Sequence, residues 1–203
     1  MGASGHGLSV MEAARSAGFT IAGFVDPNSA GDQIEGVRVA REIDGQLAKN
    51  HHFALGIGDN YLRERVFART KSAFPYSSFP AIVHQSAEIA KSASIGEATV
   101  ILAFGHVGAR ASIGAGVIVN SAASLDHESE MKDFSSLAPG AKTGGNVTIG
   151  IRTAVGINST ILPGRSVGND VVIGAQSLVT NDIEQSTVAF GIPAKVMRQQ
   201  SSV

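Results

Sequence analysis

The 203-residue chain has a formal net charge of −1 and contains no cysteine. The balanced charge, without a run of lysine or arginine, argues against a surface for nucleic acid or for an anionic membrane. The absence of cysteine excludes thiolate catalysis and disulfide bonds. No signal peptide is recognisable and the apolar segments are too short to span a bilayer, so we expect a cytoplasmic protein without membrane insertion.

Residues 1–80 predict a small, Rossmann-like α/β domain with a parallel sheet. A glycine-rich opening at residues 2–7 leads directly into a helical pattern. Residues 21–25 and 53–57 have the composition of buried strands, and residues 60–73 that of a charged amphipathic helix.

The glycine-rich opening predicts a phosphate-binding loop and also indicates a missing strand. In such a domain the loop presents N–H groups and a helix N-terminus to phosphate, and Asp26 lies near the distance at which an acidic residue meets a ribose. The pattern is GxxGxG rather than GxGxxG, so support for a dinucleotide is weak. The loop normally follows a buried strand, yet only Met1 precedes Gly2. Either the chain begins late or the sheet is one strand short, and we expect a destabilised or partly rearranged N-terminal domain.

From residue 81 to about residue 185 the dominant pattern is an apolar residue at every sixth position. The column has one polar member, Thr143, and comprises Val83, Ile89, Ile95, Ile101, Val107, Ile113, Val119, Leu125, Met131, Leu137, Thr143, Ile149, Val155, Ile161, Val167, Ile173 and Val179. This period fits neither an amphipathic helix nor a hairpin sheet. It predicts an all-β left-handed parallel β-helix, in which three six-residue units close a triangular coil and the column points inward.

Two further columns accompany the apolar one. Small residues recur four positions after it, and glycine is frequent one position after it. We expect the small residues to fill tight corners and the glycines to relieve the turn where a side chain would clash. Residues 186–203 are predicted to form a C-terminal tail.

The candidate chemistry lies in a polar interruption of the solenoid, Asp126, His127 and Glu128. The interior of a solenoid is filled by its own side chains, so a site must lie on an outer face or between prisms. His127 comes two residues after the inward Leu125 and is expected to project outward. A histidine beside a carboxylate suits a general base, because it titrates near neutral pH and is held in orientation. The same residues also fit a solvated histidine in an acidic corner.

The spacing of the histidines bears on metal binding. His106 and His127 are not separated by a whole number of coils, so they lie on different sides of the triangle and cannot stack. This disfavours a three-histidine zinc site between subunits, and we expect no metal.

Seven motifs, spread almost from end to end of the chain, carry a resemblance to a known family. They are GASGHG, FVDPN, GIGDN, SLDHES, GAKTGGNVTIG, VGINSTILPG and GIPAK. Together they resemble the hexapeptide acyltransferases related to sialic acid O-acetyltransferases. Within that family they look most like the acetyl-CoA-dependent N-acetyltransferases of nucleotide-linked 4-amino-4,6-dideoxysugars in bacterial glycan synthesis.

The resemblance implies roles for individual residues. His127 matches the general base and Glu128 the carboxylate that supports it. The loops that hold the nucleotide of the sugar substrate are matched by Ser4, Gly5, His6, Asp26, Pro27 and Gly58. The acetyl-CoA groove between adjacent prisms is matched by Gly145, Ile157 and Ala175. Ser136 falls where these enzymes often place a second histidine near the thioester, which leaves the acceptor open.

The resemblance also implies a mechanism and an assembly. The 4-amino group attacks the thioester directly while His127 takes its proton, and a backbone N–H, that of Gly145, faces the oxyanion. The family is trimeric, and the flat faces of a triangular prism suit a threefold assembly.

Three alternatives remain. O-acetylation of sialic acid or a related sugar is the nearest. A nucleotide-sugar oxidoreductase would need an NAD site, but the chain lacks a GxGxxG loop and a catalytic Tyr-Lys pair. A non-catalytic scaffold would have no reason for a His-Glu corner facing a glycine-rich coil.

Overall fold

The computed structural model describes residues 1–200 and contains two folded parts. A small α/β domain is followed by a left-handed parallel β-helix, which ends in a β-hairpin. The predicted fold class is confirmed. No helix within the described residues is long and apolar enough to cross a membrane.

The N-terminal domain contains three helices and one three-stranded sheet. Its elements are α1 (Gly5–Ser16), β1 (Phe24–Val25), β2 (Gln33–Ile34), β3 (Val37–Ala40), α2 (Gly45–Asn50) and α3 (Asn60–Ala73). The sheet has the order β1-β3-β2, with β3 parallel to β1 and antiparallel to β2. The helices α1 and α3 were predicted, whereas β2, β3 and α2 were not.

The two strands predicted in this domain are much reduced. Only Phe24 and Val25 of the first form a regular strand, and residues 53–57 are not a regular strand. Met1 bridges the gap at one end, because its amino group donates to Ala54 O and Gly56 N–H donates to Met1 O (2.6 Å). Beyond Met1 a groove of about 530 Å³ separates residues 19–25 from residues 51–54. The sheet is therefore interrupted at the place where the sequence predicts a missing strand.

The β-helix consists of seventeen two-residue strands, one in every six residues. They are β4 (Ile82–Val83), β5 (Glu88–Ile89), β6 (Ser94–Ile95), β7 (Val100–Ile101), β8 (His106–Val107), β9 (Ser112–Ile113), β10 (Ile118–Val119), β11 (Ser124–Leu125), β12 (Glu130–Met131), β13 (Ser136–Leu137), β14 (Lys142–Thr143), β15 (Thr148–Ile149), β16 (Ala154–Val155), β17 (Thr160–Ile161), β18 (Ser166–Val167), β19 (Val172–Ile173) and β20 (Leu178–Val179).

Strands at the same position of successive coils pair in parallel and build three faces. The first face runs from β4 through every third strand to β19, the second from β5 to β20 and the third from β6 to β18. Three corners join these faces. The first corner includes residues 156–159 and 174–177, the second includes 126–129 and 144–147, and the third includes 114–117, 132–135, 150–153 and 168–171.

The region predicted as a C-terminal tail contains a hairpin of β21 (Thr187–Gly191) and β22 (Ala194–Gln199). β21 pairs in parallel with β19 and so extends the first face. Residues 201–203 of the predicted tail lie outside the described residues.

The apolar column forms the core of the prism, as predicted. Every member from Ile101 to Val179 is buried, and Thr143 among them is 7% exposed. Val83, Ile89 and Ile95 are only partly buried because they belong to the first coil, which has no coil beneath it.

The glycines do not act as the sequence suggested. A Cβ on Gly96 would overlap the backbone of Gly114 in the next coil, so the missing side chain allows coils to stack closely. The left-handed backbone of each corner occurs two residues later and is mostly carried by other residue types, such as Ala98 (φ 59°), Glu128 (φ 58°) and Asn146 (φ 56°). Glycine is therefore needed for close approach between coils rather than for the turn itself.

Candidate active site

His127 lies on the second corner, two residues after the end of β11, and its side chain is 57% exposed. The main chain is held on both sides of it, because its N–H donates to the Asp126 carboxylate (2.7 Å) and its carbonyl accepts from Asn146 N–H (2.8 Å). The predicted outward projection is confirmed. The imidazole thus extends into solvent from a fixed backbone.

Thr143, the polar member of the inward column, belongs to this corner. Its hydroxyl accepts a hydrogen bond from Asp126 N–H (3.0 Å). At the neighbouring rungs of this face Gly108 N–H and Gly144 N–H donate to main-chain carbonyls instead. The threonine hydroxyl therefore replaces a main-chain carbonyl as the acceptor for the N–H of Asp126, the residue directly before His127.

Glu128 is paired with the imidazole. Its Oε2 lies 3.2 Å from His127 Nδ1, and its Oε1 forms a short ion pair with Arg110. A carboxylate on Nδ1 favours the tautomer with the proton on that nitrogen, which leaves the lone pair of Nε2 free to accept a proton. Arg110 was not predicted, although its position one full coil before Glu128 places it on the same corner.

Gly145 lies directly against the ring of His127. A Cβ on Gly145 would overlap both Cε1 and Nε2 of the imidazole, so only glycine leaves room for the ring in this position. Within residues 1–200 the Gly145 N–H has no hydrogen-bond partner. The predicted neighbours His127 and Gly145 are thus brought together by the stacking of successive coils.

The predicted nucleotide loops meet at one edge of the small domain. The carboxylate of Asp26 accepts from Ala3 N–H (2.9 Å) and from Asn28 N–H (2.9 Å), which ties the glycine-rich opening to the end of β1. Ser4 precedes α1 without making a side-chain cap, and the first turn of α1 carries no acidic residue. The first N–H groups of this helix therefore remain suited to an anion.

The other predicted members of these loops differ in accessibility. Ser4, Gly5, Pro27 and Gly58 are exposed. His6 is half-buried, and its Nε2 is buried without a partner in the described part of the chain. Burial lowers the pKa of His6, and the positive charge of Arg63 lowers it further, so the ring is neutral at pH 7.

The residues predicted to line the coenzyme groove occupy two corners. Ile157 and Ala175 lie one above the other in successive coils of the first corner, and both are exposed. Gly145 lies on the second corner beside His127. Ser136 opens β13 on the first face, half a coil away from His127. One chain does not bring these four positions together.

No metal centre is evident among residues 1–200, which contain no group of three or more His, Asp or Glu side chains able to hold an ion.

The chain is similar to solved acetyltransferases over almost its whole length. It is 30% identical to the acetyltransferase domain of PglB from Neisseria gonorrhoeae, solved in complex with acetyl coenzyme A, with 97% of this chain and 96% of that chain covered and a TM-score of 0.88. The chain belongs to this family of hexapeptide-repeat nucleotide-aminosugar acetyltransferases. It is an acyltransferase, and the resemblance carried by the seven motifs is confirmed.

Three further comparisons agree with this family. PerB from Caulobacter crescentus, solved with CoA and GDP-perosamine, is 29% identical, with 97% and 95% of the two chains covered and a TM-score of 0.89. A histidine-to-asparagine variant of the perosamine N-acetyltransferase from the same organism, also with CoA and GDP-perosamine, is 28% identical, covers 98% and 95%, and has a TM-score of 0.90. The PglD N-terminal domain family matches residues 1–70.

Proposed function

We propose that the protein transfers the acetyl group of acetyl-CoA to the 4-amino group of a nucleotide-linked aminodideoxysugar. The observation that carries this proposal is the contact between Glu128 and Nδ1 of His127, together with the packing of the His127 ring against Gly145. The relatives solved with acetyl coenzyme A and with CoA and GDP-perosamine support both substrate classes.

His127 acts as the general base of a direct transfer. The amine nitrogen attacks the thioester carbonyl carbon and forms the C–N bond, and Nε2 accepts the proton that the nitrogen loses. The C–S bond then breaks, the imidazolium returns this proton to the sulfur, and CoA leaves as the thiol. Glu128 holds the imidazole by Nδ1 and stabilises the imidazolium that forms.

The N–H of Gly145 stabilises the oxyanion. Negative charge develops on the thioester oxygen during attack, and a free backbone donor on a rigid coil needs no reorganisation to meet it. The absence of a side chain at Gly145 leaves room for the imidazole, which lies beside this residue.

The small domain holds the nucleotide. The first turn of α1 with Ser4, Gly5 and His6 receives the diphosphate, while the loops at Asp26, Pro27 and Gly58 enclose the rest.

The active species is a homotrimer with acetyl-CoA between neighbouring prisms. Gly145 lies on the second corner, whereas Ile157 and Ala175 lie on the first, so a groove containing all three needs the second corner of one chain and the first corner of another. Ser136 on the first face joins the same groove. Since acetyl-CoA and nucleotide sugars are cytoplasmic metabolites, we place the reaction in the cytoplasm.

The experiment is a panel of nucleotide-linked 4-aminodideoxysugars, each with a GDP, UDP or dTDP carrier, incubated with acetyl-CoA. Release of free thiol and the mass of the product report transfer, and resistance of the product to mild base distinguishes an amide from an ester. We expect a base-stable product with at least one 4-amino sugar and none with the matched 4-hydroxy sugars. Transfer to the hydroxy sugars alone would instead establish O-acetylation.

A further inference from the structure

Arg63 of α3 is among the most completely buried side chains of the molecule, with 1% of its surface exposed. Its five N–H groups lie within hydrogen-bond distance of six acceptors, five of which are backbone carbonyls, and the three acceptors at Nη2 share its two hydrogens. The acceptors are Gly116 O (2.6 Å), Ile57 O (3.1 Å), Gly58 O (3.0 Å), Phe134 O (2.7 Å), Ser135 O (3.3 Å) and the side-chain oxygen of Asn60 (2.7 Å).

The charge of Arg63 is held without an ion pair within residues 1–200. Burial lowers the pKa of Arg63 to about 10, against the opposing charge of Asp59, so the group stays protonated at neutral pH. A buried ion is a weak source of net stability because of its desolvation penalty. Its five coplanar N–H donors instead fix the positions of the surrounding carbonyls relative to one another.

Those carbonyls belong to two parts of the molecule that carry different substrates in the proposed function. Ile57 and Gly58 form a predicted nucleotide loop of the small domain. Phe134 and Ser135 form the third corner of the prism, immediately before Ser136. Gly116 lies one coil below Phe134 on the same corner. One side chain thus connects the loop that holds the acceptor to the coil that leads into the coenzyme groove.

A second group of contacts keeps α3 on the same corner. Arg152 pairs with Asp170 (2.7 Å) and with Glu64 (3.0 Å), and Tyr61 donates to Asp170 (2.7 Å). The side chain of Asn60 donates to Arg152 O (2.9 Å). These contacts hold the helix against the prism, and among the side chains of α3 named here, within residues 1–200, it is Arg63 that reaches both the loop and the corner.

We propose that Arg63 is a positioning residue of the acceptor site, which sets the loop at Gly58 relative to the prism so that the bound sugar nucleotide presents its amine to the active site. The proposal rests on the proposed function. The proposed base, His127, belongs to the coils of the prism, whereas the sugar nucleotide is held by the small domain. A shift of the small domain relative to the prism would therefore move the amine away from the base. A misplacement of about 1 Å costs about 10²-fold in rate.

The test compares Arg63→Lys with Arg65→Lys, an exposed arginine on the same helix. Lysine keeps the charge but has three donors on a single nitrogen and cannot join two carbonyl sets in one plane. We expect Arg63→Lys to lower kcat/KM for the nucleotide sugar by about 10²-fold, with the Kd of acetyl-CoA and the trimer unchanged. Arg65→Lys should match the wild type in all three measurements.

Asn60→Ala serves if Arg63→Lys does not fold, because it removes one acceptor of the guanidinium and the bond to Arg152 O. We expect a smaller decrease in kcat/KM for the nucleotide sugar, again with the Kd of acetyl-CoA unchanged. If the wild type is active and Arg63→Lys weakens the binding of acetyl-CoA as much as it lowers kcat/KM for the nucleotide sugar, or causes no loss at all, the positioning role is overturned and the proposed function is left intact. A wild type that acetylates no nucleotide aminosugar overturns both.

Discussion

The two nitrogens of the His127 ring have different surroundings, and this difference defines the chemistry at the scale of single residues. Nδ1 faces the Glu128 carboxylate at 3.2 Å, whereas Nε2 lies beside Gly145 and has no partner in the described part of the chain. One nitrogen is therefore committed to orientation and the other is free to accept a proton.

Replacing Glu128 by alanine is expected to lower kcat about tenfold, because the carboxylate orients the base but does not itself take the proton. Steady-state kinetics with saturating acetyl-CoA measure the effect. Arg110→Ala is the control, since it removes the other partner of Glu128 from an exposed ion pair and should change kcat by less than about fivefold. A larger loss in Arg110→Ala than in Glu128→Ala would contradict these roles.

Single residues also show where the sequence was informative. His127 and Glu128 were candidates because they form part of a polar interruption of the solenoid, and the repeat itself predicts the outward direction of His127, which the structure shows. Arg63 could not be predicted, because five of its six partners are backbone carbonyls, which leave no pattern of side chains, and three of these lie 53 to 72 residues away. The role of Thr143 was equally hidden, since an inward threonine predicts a core defect rather than a partner for Asp126 N–H.

At the scale of elements, each two-residue strand is stable only because its neighbours repeat it. The inward Ile149 is 0% exposed and packs within a continuous apolar core. Its flanking strands β12 and β18 share the third face and pair with β15 in register.

Ile149→Asp would bury an unpaired charge in this core and is expected to abolish soluble expression. The matched control is Ser166→Asp on β18, whose side chain is exposed on the outside of the same face. Soluble yield and the unfolding transition measure the effect. A normally folded Ile149→Asp variant would count against the register.

The docking of α3 on the third corner predicts a dependence of stability on acid. Burial raises the pKa of the Asp170 carboxyl, but hydrogen bonds from Arg152 and Tyr61 outweigh it, so the pKa is lowered from its ordinary value of 3.8. A lowered carboxyl pKa contributes stability that is complete above the unfolded value and is lost as the pH falls through the native value.

The free energy of unfolding should therefore be lower for Asp170→Asn than for the wild type at neutral pH, with the difference shrinking below about pH 4. Urea unfolding from neutral to acid pH measures this difference. Asp182→Asn is the control, because Asp182 is exposed and lies 3.9 Å from Arg165. A difference that stays constant into acid would mean that the ionised form of Asp170 is not the stabilising one.

Elements with a recurring or long sequence pattern were predicted, whereas brief elements were not. Seventeen strands share one period, so a single reading places them all, and α1 and α3 are long enough to show helical periodicity. The hairpin of β2 and β3 and the single short helix α2 are too brief to show any period. The reduced strand at residues 53–57 has a strand's composition but lacks a full neighbour to pair with.

At the scale of the whole molecule, the proposed coenzyme residues lie on two different corners, and the proposed function therefore predicts that activity depends on assembly. We expect the protein to be a trimer and kcat to fall as dilution produces monomers, because Gly145 and Ile157 of one chain lie on different corners. Activity measured in parallel with sedimentation or mass photometry gives the dependence. Full turnover by a monomer would refute the shared groove.

The most direct measurement of the central claim is the kinetics of His127→Ala with a nucleotide aminosugar and acetyl-CoA. A positioned base contributes about 10²- to 10⁴-fold, so kcat should fall by that factor while the Kd of acetyl-CoA stays nearly unchanged. The rise of kcat/KM with pH that a general base produces should disappear in the variant. Retention of more than about half of the wild-type kcat, or a loss that arises only from weaker acetyl-CoA binding, would contradict the account and leave His127 a solvated residue of an acidic corner.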